Sequence, residues 1–159
     1  VYINRVPLEN KEQTAEEIKK LVDTFHTDLN ALFLEKMDGR RMKLSDLPLP
    51  KFFNFVRTIP YRRDPVKPVA REIVARPYYL VKHNRIGLDC KKKAILIGSW
   101  LRANAVPFRF IGSSQRNDKK VHHIFPQAWI EGTWKNVDAT YPDYMLFQPK
   151  NDLTFAEVL

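Results

Sequence analysis

The chain has 159 residues, with 27 Lys and Arg against 18 Asp and Glu, a net charge of +9 at neutral pH. At this length roughly two thirds of the unfolded surface is buried on folding, so no disulfide or structural metal is needed, and a single cysteine excludes an internal disulfide. Apolar residues at 44% and aromatics at 12% exclude a disordered chain.

No apolar run approaches the roughly 20 residues of a membrane-spanning helix, so no membrane partner is expected. The basic residues are spread through the chain in small groups such as Arg62-Arg63 and Lys91-Lys92-Lys93. They match no RNA-recognition, zinc-finger or helix-turn-helix signature, and specific nucleic-acid binding is not expected. A lone cysteine and the lack of a visible signal peptide favour an intracellular or virion-associated protein over a disulfide-rich secreted one. The chain begins at Val1, which reads as a trimmed protein or a piece of a longer one.

In chain order, the first ten residues read as an extended lead-in. Thr14 and Glu17 fit a capping box. Ile18, Leu21, Val22, Phe25, Leu29, Leu32, Phe33 and Met37 follow at three- and four-residue steps. That stripe predicts one amphipathic helix of about six turns, ended by Gly39. His26 lies within it and reads as an ordinary histidine. Leu47-Pro48-Leu49-Pro50 reads as a stiff connector before a short helix carrying Phe52, Phe53, Phe55 and Val56. Residues 59–77 hold four prolines and many charges. They predict an irregular, ordered loop with one short helix over Val69–Ala75. Tyr78–Lys82 is apolar and ambiguous.

Cys90–Ala103 predicts a second long helix, apolar almost all round and therefore central. Asn104 is a candidate for the left-handed position at its end, with Pro107 close behind. Val106–Ile111 reads as a strand and Ser113–Lys120 as a polar loop. Val121–Ile130 is a second strand, and Pro126 within it predicts an edge position or a bulge. Glu131-Gly132-Thr133 reads as a tight turn into a third strand over Trp134–Ala139. Helices first and an antiparallel meander last make an α+β fold in a single domain. Its parts are a helical portion (1–58), an irregular lead-in (59–89), a core (90–142) and a C-terminal extension (143–159).

Three residues in this core carry candidate chemistry. Cys90 sits at the first turn of the central helix, where the positive end of the helix dipole favours thiolate. His122 and His123 open a strand, and strand alternation allows only one of them to face Cys90. A histidine there takes the thiol proton and later protonates a leaving amine. Asp138 ends the next strand across the hairpin, where its carboxylate would orient the imidazole.

This pattern resembles the transglutaminase-like superfamily of papain-like cysteine enzymes. The matching residues are Leu88-Asp89-Cys90 opening a helix, His123 at a strand start, and Asn136-Val137-Asp138-Ala139-Thr140 closing the next strand. The fifteen-residue step from His123 to Asp138 matches the family's spacing, which selects His123 over His122. Leu101-Arg102-Ala103-Asn104-Ala105-Val106-Pro107-Phe108 is similar to the family's helix-to-strand crossover. Tyr61, Asp64 and Arg76-Pro77 resemble the lead-in of short bacterial and phage members. The likeness spans about residues 60–142. The chain departs from the pattern in carrying Leu88 where Gly is common, lysines after the cysteine, and Asp-Ala-Thr in place of Asp-Pro-Thr.

The resemblance implies a papain/transglutaminase-like core and acyl transfer through a thioester on Cys90, acting on the amide of a protein or peptide substrate with no cofactor. The Cys90 backbone N–H is one expected oxyanion donor. Asn84 and Tyr79 are candidates for a second. Trp129 and Trp134 read first as core residues and second as walls of the cleft. The main rival is a catalytically silent member of the same fold, serving as a binding or structural module in a larger assembly such as a virion. A metal site built from Cys90, His122, His123 and Asp138 is disfavoured, because adjacent strand histidines diverge.

Overall fold

Helix formation is best specified at Cys90–Ala103, where good helix formers follow an Asp at the N-cap. The computed structural model describes residues 3–7, 11–35, 38–64 and 71–159, without the side chains of 3–7, 11 and 71–73. In it this helix, α4, spans Cys90–Ala103. The elements before it are β1 (Ile3–Pro7), α1 (Lys11–Phe25), β2 (Phe33–Glu35), β3 (Arg41–Lys43), α2 (Leu49–Arg57), β4 (Arg71–Ala75) and α3 (Pro77–Lys82). After it come β5 (Phe108–Ser114), β6 (His123–Ile130), β7 (Thr133–Asn136) and β8 (Phe155–Val158). All strand pairs within these sheets are antiparallel, and the class is α+β.

The core lies around α4. Ile95, Leu96, Ile97 and Leu101 are fully buried among Ile18, Leu21, Phe52, Val56 and Phe110. Each such side chain contributes about 1.5–3 kcal/mol of burial. Gly98 lets α4 close on its neighbours, since a Cβ there would lie 2.9 Å from the Phe110 ring and 3.3 Å from Val22. Trp100 donates its indole N–H to the Leu47 carbonyl at 3.0 Å, which ties the Pro-rich connector to the helix.

The predicted six-turn helix is overturned. It begins at Lys11, so Thr14 lies inside α1 rather than at its cap, and it stops at Phe25. A 3₁₀ turn over His26–Asn30 follows. His26 Nδ1 lies 3.1 Å from the carbonyls of both Val22 and Asp23, a contact that caps the last turn. Asp28 is drawn instead to Arg76 and to the Tyr78 backbone N–H. The periodic residues Leu29 and Leu32 still reach the core, while Phe33 and Leu34 lie exposed on β2. Met37 lies outside the described residues.

Three further expectations change. Residues 71–75 form a strand rather than a helix, because the N-terminal segment pairs with them in the register Asn4↔Val74; the rest of the predicted helix, Val69 and Ala70, lies outside the described residues. Asn104 keeps a negative φ and donates to the carbonyls of Ser45 and Trp100, while Ala105 takes the left-handed position at φ 55°. The C-terminal extension supplies β8, so the sheet has four strands in the order β7-β6-β5-β8 rather than three.

In that order β6 is internal, which corrects the expected edge position of Pro126. The explanation is local. Pro126 faces Phe110 across β5, and the Phe110 carbonyl points the other way, to Leu159. The donorless nitrogen of Pro126 therefore points toward β7, just past that strand's last residue, Asn136. The Pro126 carbonyl on the same side accepts from Val137 N–H at 2.9 Å. Glu131 and Gly132, at φ 52° and 76°, make the two-residue type I′ turn between β6 and β7.

Candidate functional site

Cys90 owes its position to both of its flanks. Asp89 caps α4, its side chain accepting from Lys92 N–H at 3.1 Å. Leu88, just before, forms a parallel bridge to Tyr61 and accepts from Arg62 N–H at 3.2 Å. Gly87 makes that approach feasible: it sits at φ 86°, and a Cβ there would lie 2.8 Å from Arg62 Cβ and 2.9 Å from the Pro60 carbonyl. Glycine is thus required one residue before Leu88, and the bridge brings Tyr61 and Arg63 alongside the start of α4.

His123 opens β6, and the chain leaving β7 carries Asp138 back beside it. His123 Nε2 lies 2.7 Å from Asp138 Oδ2. The second carboxylate oxygen, Oδ1, accepts from the Thr140 hydroxyl at 2.5 Å and from the Thr140 N–H at 3.1 Å. His122 turns away and pairs with Asp118 at the surface at 2.6 Å. Of the two adjacent histidines, His123 meets Asp138 and His122 meets Asp118.

The electrostatics follow from burial and partners. Burial opposes the imidazolium of His123, but hydrogen bonding with Asp138 and with Cys90, and the charge of both, outweigh it and push its pKa up to about 9. Burial likewise opposes the Asp138 carboxylate, yet His123 and then Lys150 hold it down to about 2. Nε2 of His123 is occupied by Asp138, so Nδ1 is the ring nitrogen left for Cys90. Cys90 itself is 8% exposed.

Several neighbours were not legible in the sequence. Lys150, from the C-terminal extension, places Nζ 2.7 Å from Asp138 Oδ2, the oxygen that His123 also meets. Tyr61 and Tyr141 lie with ring centroids 4.8 Å apart. Tyr141 and Arg63 both interact electrostatically with Cys90. Burial, with Tyr61 and Cys90 nearby, pushes the Tyr141 phenol up to about 12, so it keeps its proton at neutral pH. The resemblance had drawn attention to Tyr61 only as part of a lead-in. Nothing local in sequence ties Tyr141 or Lys150 to Cys90.

The lysines after Cys90 do not make a free basic patch. Lys91 pairs with Asp89 at 3.0 Å, and Lys92 pairs with Asp64. Lys93 is 1% exposed and donates to the carbonyls of Ile59 at 2.6 Å and Thr140 at 2.8 Å. Burial lowers its pKa to about 8, against the pull of Asp138.

Of the two oxyanion candidates, Tyr79 stacks on His83 at 4.3 Å and lines a pocket of about 220 Å³ with Leu80, Ile86 and Leu88. Asn84 begins a 3₁₀ turn, its backbone carbonyl accepting from Gly87 N–H at 3.0 Å. Their described contacts run to these groups and not to Cys90 or His123. Trp129 and Trp134 are 44% and 36% exposed and meet edge to face on β6 and β7, which replaces the core reading. Arg109 stacks on Trp134 at 4.2 Å. Among the described residues no group of three His, Cys, Asp or Glu side chains is placed to hold a metal ion, and no helix is long and apolar enough to cross a membrane.

No family model, no curated protein and no solved structure matches the chain.

Proposed function

We propose that the protein performs cysteine-dependent acyl transfer or hydrolysis on amide bonds, with Cys90 as nucleophile, His123 as acid and base, and Asp138 as the group that orients and charges the imidazole. The observation that carries this reading is the His123–Asp138 hydrogen bond of 2.7 Å beside a helix-start cysteine. The papain/transglutaminase-like core belongs to the same proposal. It is supported by the order of helix-start Cys, strand-start His and hairpin Asp.

The chemistry runs from an ion pair. With its pKa near 9, His123 is imidazolium at neutral pH, and a cation beside a thiol at a helix N-terminus favours thiolate. The sulfur attacks the amide carbonyl carbon, and the carbonyl electrons move onto oxygen. The oxyanion is met by the Cys90 backbone N–H, with Arg63 and Tyr141, which both interact electrostatically with Cys90, as candidates for a further donor. The C–N bond then breaks as His123 Nδ1–H gives its proton to the departing amine. Neutral His123 next takes a proton from water or an incoming amine, which attacks the thioester, and thiolate leaves to restore the pair. Asp138 stays ionised throughout, consistent with its saturated hydrogen bonding.

The substrate in this proposal is a protein or peptide amide, taken without a cofactor. The rival, a silent module in a larger assembly, is separated by reactivity. Cys90 in the wild-type protein should alkylate with iodoacetamide at neutral pH faster than a free thiol, and glutamine-bearing or peptide substrates should release ammonia or amine. Alkylation no faster than free cysteine, with no turnover of either substrate type, sinks the catalytic reading.

A further inference from the structure

The charge that completes this site comes from a segment outside the three-residue pattern. After Asp138 the chain returns to Asn136, the last residue of β7, and is pinned at several points. Arg57 donates to the Tyr144 carbonyl at 3.0 Å. Phe147 N–H donates to the Asn136 carbonyl at 3.1 Å, and Asn136 Nδ2 donates to the Gln148 carbonyl at 3.0 Å. Phe147 sits at φ 64°, a conformation costly for a bulky side chain and kept only where its surroundings impose it. This strap delivers Lys150 to the site. Its ammonium lies 4.8 Å from the Phe125 ring centroid and 4.5 Å from that of Tyr144. Its side chain is 13% exposed, so the charge is largely removed from solvent screening.

We propose that Lys150 is a positioning residue that sets the alkaline limit of the Cys90–His123 couple by sharing the Asp138 carboxylate with the imidazole. The argument is geometric. Asp138 Oδ1 is filled by Thr140, so both cations meet at Oδ2, each at 2.7 Å. A carboxylate held by two cations supports each less than it would support one alone, and two cations on one oxygen repel each other. Lys150 therefore fixes Asp138 in place while weakening its hold on the His123 proton.

Other described groups also act on this cluster. From α4, Cys90 acts on His123 directly and Lys93 feels Asp138. From the strap, Tyr144 feels Asp138, and burial pushes its phenol up to about 12. Tyr141 and Arg63 act on Cys90. Among these only Lys150 is a cation placed on the same oxygen as His123. Functionally, the lysine would keep His123 able to give up its proton within reach of neutral pH, which both halves of an acyl transfer require.

The inference rests on the catalytic reading for its purpose, but its test does not require turnover. The His123 imidazole is titrated by NMR in the wild-type protein and in Lys150→Met, Lys150→Gln and Lys150→Arg, with His26 and His122 as internal controls of folding. Lys150→Met and Lys150→Gln are expected to raise the His123 midpoint by about one pH unit, as removal of a neighbouring charge does. Lys150→Arg should titrate near wild type, and the alkaline limb of Cys90 alkylation should move with the midpoint. Gln keeps a donor to Asp138 without the charge, so a Gln variant that titrates with wild type overturns the proposal, as does an Arg variant shifted as far as Met. A shifted His123 in a protein without turnover would sink the catalytic reading and leave the role of Lys150 intact.

Discussion

Two buried carboxylates in this molecule are saturated with partners, and they differ in what those partners can do. Asp28 accepts from Arg76 Nε at 2.9 Å, Arg76 Nη2 at 2.6 Å and Tyr78 N–H at 3.0 Å. Asp138 accepts from Thr140, His123 and Lys150. Every partner of Asp28 is a guanidinium or a backbone amide, neither of which releases a proton at any physiological pH. Asp138 holds an imidazole that sits beside a thiol. Burial and saturation therefore mark a carboxylate as structurally committed. Only the titratable partner and its neighbouring nucleophile make it a candidate for chemistry.

The strongest test of this contrast is chemical. Cys90→Ala should abolish thioester formation and amide turnover while leaving thermal unfolding near wild type, measured by mass spectrometry after substrate addition and by calorimetry. Next, Asp138→Asn should lower turnover by about 10²–10⁴-fold, because it removes the charge that orients and stabilises the imidazolium. Asp28→Ala should do the reverse. It should leave Cys90 alkylation unchanged and cost roughly 2–3 kcal/mol in urea unfolding, below the usual penalty for breaking a buried pair because Arg76 is partly exposed. Equal losses of thiol reactivity in both Asp variants would erase the distinction.

A smaller effect appears in the pH dependence of stability. His123 has its folded pKa raised to about 9 from 6.5, so its contribution is fully present below 6.5 and is lost as pH rises through 9. Asp138, held at about 2 against 3.8, contributes above 3.8 and loses that contribution as pH falls through 2. Lys93 acts in the opposite sense to His123. Its folded pKa of about 8 lies below 10.5, so stability gains from it as pH rises between those values. Unfolding free energy should therefore fall between pH 6.5 and 8, flatten between 8 and 9 where the two cancel, and rise again just above 9, and His123→Ala should remove the fall. The smallest effect is expected at Asp23–Arg102, whose side chains are 59% and 49% exposed; Asp23→Ala should change stability by under about 1 kcal/mol.

What could be read in the sequence was local. The helix Cys90–Ala103, the Glu131-Gly132 turn and the step from His123 to Asp138 all rest on residues close in the chain. Strand alternation and hairpin pairing then carry His123 to Asp138 with no long-range information. The N-terminal stripe misled for the same reason. Its periodicity marked core residues correctly at Leu29 and Leu32, but the backbone there left the helix once Asp28 was engaged by Arg76, 48 residues away.

Tertiary structure decided the rest. β4 needed a partner from the N-terminus, and β8 needed the edge of β5. The three lysines after Cys90 look alike in sequence, yet one pairs with Asp89, one with Asp64, and one is buried on backbone carbonyls. Lys150 reaches Asp138 from a segment held to Asn136 through Phe147 and Gln148. Propensity, capping and alternation act within a few residues and place the groups of the proposed chemistry. The charges that surround and tune those groups arrive from distant segments, and only the folded chain brings them together.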